Sequence, residues 1–492
     1  MMARSYVLDG STSRLENGRV VLGGSPLRLF TLTPAGSKML DRLVAGQAIT
    51  SNVLLDRLLD AGAIHPAAYA RRIGTDSAGV RRSRSEEVTV VVPAWRSPVD
   101  SLVAALGPVA RVIVVDDASP TALAAPASAE IIRRRTNGGP GAARQTGLAA
   151  VTTEFVAFVD SDVLPTPGWL EPLLAHFDDE RVALVAPRVV SRVDPSSENH
   201  PSPSVVDRYE AARSPLDLGP AAGPVLARTR ISYVPSAAWV VRTDALRAIG
   251  GFDPQLRTGE DVDVVWRLVE AGWRARYEPA SVVHHTPRPT LRALLGQRAS
   301  YGRSAAPLAQ RHRGALAPVG VSGWSAAAWT LAATGLPGAF AGAAVALGST
   351  LALPRKLKTL TNPRPVALRL AGLGHLHAGR QLASAITKVW WPLALVAAVV
   401  SKRARRAVLL SAVLPALADW RRSRPSLDPA RYTAIRVLDD AAYGFGVWRG
   451  VIEDRTLDPL IPDFSSWPRR SSYEQAPAPQ RALASQTEPP PA

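Results

Sequence analysis

Phe155-Val156-Ala157-Phe158-Val159-Asp160-Ser161-Asp162 is an unbroken apolar run that stops abruptly at two carboxylates. A run of Phe, Val and Ala with no polar face reads as a strand buried on both sides, the texture of a parallel sheet covered by helices. The ligand edge of such a sheet lies beyond the carboxyl ends of its strands. Asp160 and Asp162, at i and i+2 there, supply two hard oxygen ligands able to hold Mg²⁺ or Mn²⁺ while leaving coordination positions for a diphosphate. Asp-x-Asp is common by chance, and Asp261-Val262-Asp263 repeats it, but only the first copy ends an apolar strand.

Working outward, runs of the same kind recur as VTVVVPA (88–94), RVIVVDDAS (111–119), EIIRRR (130–135) and RVALVAPRVV (181–190), spaced by helix-length intervals. That alternation predicts an α/β domain over residues 88–312. After Val190 the polar stretch Asp194-Pro195 followed by SSENHPSPS interrupts it and reads as a surface loop or a lid. Residues 12–73 form a separate unit: a short strand pair, a helix after Thr33-Pro34, and a second helix whose apolar face is Val53, Leu54, Leu55, Leu58 and Leu59, stopped by Gly62. This is a small winged-helix-like domain, either a structural cap or dimerisation module or a binding unit. Residues 74–87 read as a linker, and residues 471–492, rich in Pro and Gln, as a disordered tail.

Residues 313–470 read as a helical, apolar region. The stretch 314–354 carries no charge and is broken by Gly335-Leu336-Pro337-Gly338, which fits a membrane hairpin or two buried helices. Arg355-Lys356-Leu357-Lys358 and Lys402-Arg403-Ala404-Arg405-Arg406 would suit an anionic cytoplasmic leaflet, so membrane association is the favoured reading. The chain has 58 basic against 41 acidic residues, a net charge of +17. Such a field attracts any anion. No zinc-finger spacing or basic-aromatic motif points to nucleic acid, so none is expected as a partner. Cysteine is absent, which excludes disulfides and thiolate metal sites. The opening MMARSYVLDG lacks the apolar core of a secretory signal, and the expected location is the cytoplasm or the cytoplasmic side of the cell membrane.

Four further stretches carry chemistry. Val114-Val115-Asp116-Asp117-Ala118-Ser119 ends a strand in two carboxylates, able to accept from a base or ribose, or simply to make an Asp-Asp turn. Asn137-Gly138-Gly139-Pro140-Gly141-Ala142-Ala143-Arg144 opens a helix with glycines and a cation, which suits a phosphate or is a plain turn. Gly259-Glu260-Asp261-Val262-Asp263 opens an amphipathic helix with acids, one of which could deprotonate an acceptor hydroxyl; the helix dipole favours acids there in any case. Val282-Val283-His284-His285 ends a strand in two imidazoles, either structural or metal-binding.

Taken in order, these motifs resemble the family 2 glycosyltransferases of the GT-A fold over residues 88–285, beginning with the Val-Pro strand that contains Pro93. The resemblance implies that Pro93, Asp117, Arg144, Asp160 and Asp162 bind a nucleotide-sugar donor, that Asp160, Asp162 and His284 hold the metal with His285 as the alternative, that Asp261 is the base, and that Glu260 lies on the acceptor side. Arg96 and Gln145 stand where Asn is frequent in that family. The whole chain resembles more closely the mycofactocin-system glycosyltransferases of actinobacteria, on its PqqD-like amino-terminal segment, Ser214-Pro215-Leu216-Asp217-Leu218-Gly219, Tyr233-Val234-Pro235-Ser236-Ala237-Ala238 and Tyr301-Gly302-Arg303-Ser304-Ala305-Ala306. That implies an inverting hexosyltransferase moving glucose from UDP-glucose onto a peptide-derived redox cofactor to build a β-linked oligosaccharide chain, with residues 12–70 presenting the acceptor. A membrane enzyme of cell-envelope polysaccharide or polyprenyl-phosphate glycosylation would use the same residues. The reading from another class is a peptide- or nucleic-acid-binding scaffold.

Overall fold

The computed structural model describes residues 4–67, 84–124, 126–192 and 203–464. The insertion after Arg192, most of the 74–87 linker and the 471–492 tail lie outside them. Its strands are β1 (Tyr6–Leu8), β2 (Ser13–Leu15), β3 (Val20–Gly23), β4 (Arg28–Thr31), β5 (Ile64–Pro66), β6 (Val88–Ala94), β7 (Arg111–Asp116), β8 (Glu130–Arg133), β9 (Phe155–Val159), β10 (Val163–Pro165), β11 (Val182–Ser191), β12 (Gly223–Pro224), β13 (Ala238–Arg242) and β14 (Arg274–His285). The helices are α1 (Pro34–Val44), α2 (Val53–Asp60), α3 (Asp100–Ala105), α4 (Pro140–Ala150), α5 (Leu170–Leu174), α6 (Val205–Arg213), α7 (Thr243–Ala248), α8 (Glu260–Glu270), α9 (Leu291–Arg303), α10 (Ala305–Arg311), α11 (Gly323–Ala333), α12 (Leu336–Ala352), α13 (Pro363–Lys388), α14 (Trp391–Val400), α15 (Lys402–Ser423) and α16 (Pro429–Glu453).

The apolar runs build one sheet in the order β10-β14-β11-β13-β9-β6-β7-β8, with β12 beside β14. Its strands β6 to β9 are mutually parallel, as are β11 and β14, while β13 runs antiparallel between β9 and β11. Period-two alternation divides each strand between two cores. Val91 and Val115 pack with α4 and α8 on one face, and Val90, Val92 and Val114 pack with α3 and α5 on the other. Burial on both faces is why these strands are continuous apolar runs rather than alternating ones.

The amino-terminal domain has three meander strands, β2-β3-β4, where the sequence predicts a pair. The extra strand follows from the Glu16-Asn17-Gly18 turn, in which all three residues have positive φ. The unit also starts earlier than residue 12, because β1 pairs with β5 and closes it. Thr33 and Asn52 cap α1 and α2 through their side chains, and Leu55, Leu58 and Leu59 are buried while Val53 is exposed. This domain docks where β11 and β14 begin, through Arg274, whose guanidinium bonds Asp56 at 2.9 Å and Asp60 at 2.7 Å. It therefore sits at the end of the sheet opposite the carboxyl edge.

The carboxy-terminal region is helical throughout its described part. Helix α16 packs against α9, whereas α12 and α14 leave Leu336, Phe340, Leu347, Leu351, Val399 and Val400 exposed. Among the described residues, Leu336–Lys356 is long and apolar enough to cross a membrane, and α13 with α14 forms an apolar pair bent by 88°.

Candidate active site

A cavity of about 1220 Å³ runs along the carboxyl edge of the sheet, and Pro93, Asp117, Arg144, Asp160, Asp162, Glu260, Asp261 and His285 all line it. The strand ends there are strained: Arg96 after β6 and Ala118 after β7 both have φ of +56°. Asn tolerates that region better than Arg, so Arg96 carries a conformational cost that an Asn would lessen. Its backbone N–H donates to the Ser119 hydroxyl at 3.0 Å, tying the two turns together.

The Asp116-Asp117 pair divides its work. Asp116 is fully buried and braces the loop, accepting from Ser119 N at 2.9 Å and from Arg133 at 2.9 Å. Asp117 accepts from the backbone N–H of Gly138 at 3.1 Å and of Gly139 at 2.7 Å, and pairs with Arg134. The glycines of the second motif are thereby drawn to the end of β7, and Gly139, with φ of +87°, turns the chain into α4. One turn into α4, Arg144 is buried and bridges two carboxylates, Glu260 at 2.7 Å and Asp160 at 2.5 Å. Its Nε has no partner among the described residues.

Asp160 and Asp162 diverge in environment. Burial raises Asp160, with Arg144 opposing and Asp162 adding to the rise. Burial would raise Asp162 too, but the hydrogen bond and charge of His285, and then Arg288, outweigh it and hold Asp162 below the ordinary carboxylate range. His285 Nε2 stands 3.4 Å from Asp162 Oδ2. The two imidazoles, His284 expected at the metal and His285 as its alternative, are placed differently. Neighbouring residues on a strand point to opposite faces, and β14 turns His285 into the cavity, while His284, beside Arg192, is not part of the cavity wall. Among the described residues no three acidic or imidazole side chains are gathered closely enough to hold a metal ion by themselves. Asp162 and His285 are neighbouring carboxylate and imidazole donors, and Asp160 follows the same strand end with its Oδ1 bonded to Arg144; the Nδ1 atoms of both His284 and His285 are buried without a partner. Such a set fits a divalent cation whose remaining positions are filled by a diphosphate.

Helix α8 begins at Gly259, left-handed at φ +83°, where a Cβ would stand 2.9 Å from Leu308. Its first residue, Glu260, is buried, and burial together with the adjacent Asp261 pushes its carboxyl up to about 7, with Arg144 opposing. Asp261 is partly exposed to the cavity and accepts from Ser236 N at 3.2 Å and from its own neighbour Val262 N at 2.8 Å. Asp263 is turned away and held by His312 at 3.1 Å and Arg267 at 2.8 Å, so the second Asp-x-Asp splits between site and core.

Of the far wall, the sequence singles out Tyr233 and Tyr301 through the resemblance, with no role attached. Tyr233, Arg298, Tyr301, Lys388, Asp439 and Tyr443 line it, the last three from helices distant in sequence, while no described residue of 4–67 lines the cavity. A readable trace is the spacing of Gly446 and Gly450, four apart, which marks a helix face made for close approach.

Residues 96–250 match the family described as Glycosyl transferase family 2. A pre-mycofactocin glycosyltransferase of Mycobacterium tuberculosis (strain ATCC 25618 / H37Rv) is 43% identical over 474 residues, 92% of this chain and 96% of that protein. The succinoglycan biosynthesis protein ExoO of Rhizobium meliloti (strain 1021) is 29% identical over 224 residues, 42% of this chain and 63% of that protein. Among solved structures, a mannosyltransferase from Pyrobaculum calidifontis in complex with GDP-Man and Mn2+ aligns over 62% of this chain and 92% of its own, at 19% identity and a TM-score of 0.33.

Proposed function

The chain belongs to the pre-mycofactocin glycosyltransferases of family 2, enzymes of the GT-A fold, and from that membership we propose an inverting transfer of glucose from UDP-glucose to a hydroxyl of a peptide-derived acceptor. The observation that carries the mechanism is the position of Asp261: a carboxylate open to the cavity, oriented by two backbone N–H groups, on the same cavity as the Asp160–Asp162 edge. The acceptor oxygen bonds to the anomeric carbon as the bond from that carbon to the diphosphate breaks. The hydroxyl proton passes to Asp261, and UDP departs. One displacement inverts the anomeric configuration.

Pro93 and Asp117 line the nucleotide end of the cavity, and Arg144 keeps Asp160 and Glu260 in register. On this reading Glu260, buried against Arg144, belongs to the acceptor side. Mg²⁺ or Mn²⁺ held by Asp160, Asp162 and His285 would offset charge on the diphosphate. An Asp261→Asn enzyme should bind UDP-glucose and transfer about 10²- to 10⁴-fold more slowly. Transfer at the wild-type rate, or a product with the donor's anomeric configuration, would defeat the assignment.

We further propose that the protein lies on the cytoplasmic face of the membrane. The exposed leucines and valines of α12 and α14, next to Arg355-Lys356 and Lys402-Arg403, support this reading, since an apolar face beside basic residues suits an anionic bilayer surface. Flotation with vesicles containing phosphatidylserine, but not with neutral vesicles at raised salt, is the expected result. Flotation with neither removes the proposal.

A further inference from the structure

The excess charge of the chain is confined to one stretch. Residues 279–418 hold 17 Lys and Arg and no Asp or Glu, and the 58 basic residues less these 17 leave 41 to balance the 41 acidic ones. The whole net charge of +17 therefore belongs to this stretch, which includes the helices that leave leucines and valines exposed. Some of its cations are spent within the fold. Arg298, Arg303, Arg311 and Lys388 each face a carboxylate of another element.

The cations of residues 355–369 are not spent in this way. In Arg355-Lys356-Leu357-Lys358-Thr359-Leu360 the two leucines are buried and the three bases stay exposed. Leu357 and Leu360, with Ala367 of α13, pack on Val20 of the amino-terminal meander, and Leu15 and Leu29 join the contact. This is the face opposite the domain's own core, where Val21 and Phe30 lie, as the alternation along β3 and β4 requires. Polar contacts close the same seam. Glu16 accepts from the backbone N–H of Thr361 at 2.9 Å and of Asn362 at 3.5 Å, and Arg369 donates to Ser13 Oγ at 3.4 Å.

Arg19, next to Val20, and Arg355, Lys356, Lys358, Arg364 and Arg369 are all exposed at this seam. Asp41 is taken by Arg14, and among the described residues none of the six cations has a carboxylate in ion-pair range. Such a cluster repels itself, and an external anion relieves it. The apolar neighbours decide which anion. Leu347 and Leu351 of α12 and Leu368, Leu373 and Leu376 of α13 are exposed and flank these bases along the chain. A nucleic acid or an acidic peptide offers exposed leucines nothing, whereas a bilayer takes leucines at its acyl boundary and long basic side chains at its phosphates.

We propose that the amino-terminal meander and residues 355–369 form one binding face for anionic lipid headgroups, to which the amino-terminal domain contributes Arg19. The inference rests on the membrane reading above. It adds a site, a lipid class and a part for the amino-terminal domain, which is docked on the catalytic sheet through Arg274 on one side and meets the bilayer at this seam on the other.

The test is flotation of the full chain with vesicles of phosphatidylcholine alone or with added phosphatidylserine. Arg19→Gln and Lys356→Gln should each lower partition onto the phosphatidylserine vesicles about fivefold, the effect of removing one base near an anionic surface. Their Tm and KM for UDP-glucose should hold, and the difference from wild type should shrink at raised salt, which screens the attraction. Arg57→Gln removes an equal charge from α2, the helix docked on the sheet, and should keep wild-type partition. Equal losses in all three variants would make the attraction a general field and overturn the site. Unchanged partition in Arg19→Gln overturns the part of the amino-terminal domain and with it the composite face. An RNA oligonucleotide that strips the protein from anionic vesicles would assign the cations to nucleic acid and overturn the proposal as well. Wild-type protein that floats with neither vesicle removes the membrane reading itself.

Discussion

Replacing Arg274 with Leu asks what the amino-terminal domain is for. Arg274 is buried, with its side chain only 4% exposed, and its guanidinium makes three charge-assisted bonds: to Asp60 at 2.7 Å, to Asp179 at 2.7 Å and to Asp56 at 2.9 Å. Two of these cross from the catalytic sheet to α2. Breaking a buried ion pair by removing one partner costs about 3–5 kcal/mol because the remaining charge is left uncompensated. The three carboxylates keep 12% to 30% of their side-chain exposure, and Arg181 remains 3.7 Å from Asp56 and 3.8 Å from Asp60. The lower end therefore applies, about 3 kcal/mol, or a Tm loss on the order of 5–10 °C. Differential scanning fluorimetry measures the loss, and parallel assays give the KM for acceptor and donor. If the domain braces the sheet end, stability should fall and any kinetic loss should fall on donor and acceptor alike. An unaltered Tm with a raised acceptor KM alone would refute bracing and support acceptor presentation by residues 12–70.

Three other outcomes follow from the geometry. His285→Ala should weaken Mn²⁺ binding, measured by calorimetry in the presence of UDP, by about 10-fold or more, while His284→Ala should leave it nearly unchanged; the reverse order would move the metal to the other face of β14. His312, held by Asp263 at 3.1 Å and Glu270 at 2.8 Å, is raised to about 9 despite burial, which alone would lower it. Its folded value lies above the unfolded one, so its contribution should be complete below about pH 6.5 and fade as pH rises through about 9, on the order of 2 kcal/mol once the half-exposed Glu270 is discounted. His312→Gln should flatten that alkaline loss in urea titrations, and an undiminished slope would exclude His312 as its source. Gly302→Ala should destabilise the α9–α16 contact by roughly 1–3 kcal/mol, because the methyl meets a backbone carbonyl that cannot rotate away; a variant with wild-type Tm and product length would show that the two helices can separate without consequence.

The sheet and its carboxyl edge were legible because burial on both faces leaves a local signature. Runs such as Val88–Ala94 and Phe155–Val159 can be read residue by residue, and strand ends carrying Asp117 and Asp160 follow from them. Helix starts were legible for a similar reason, since Thr33 and Gly259 act on their own turns. Facing is less local. Two histidines in succession announce a site, but which one enters it depends on the register of β14 against β10, where His285 pairs with Val163 and His284 with Leu164. The split of Asp261 and Asp263 depends in the same way on His312, some fifty residues on. The position of the amino-terminal domain, and the gathering of Tyr233 and Tyr301 with Tyr443 on one wall, were beyond the sequence. They arise from pairs such as Asp60 with Arg274 and Gly302 with Tyr443, distant along the chain, and only folding brings them together. Sequence by itself determined which residues could do chemistry, because strand burial and helix capping are properties of neighbours. Tertiary structure decided which of them share a cavity, because side-chain direction and long-range charge pairing are settled only when the elements pack.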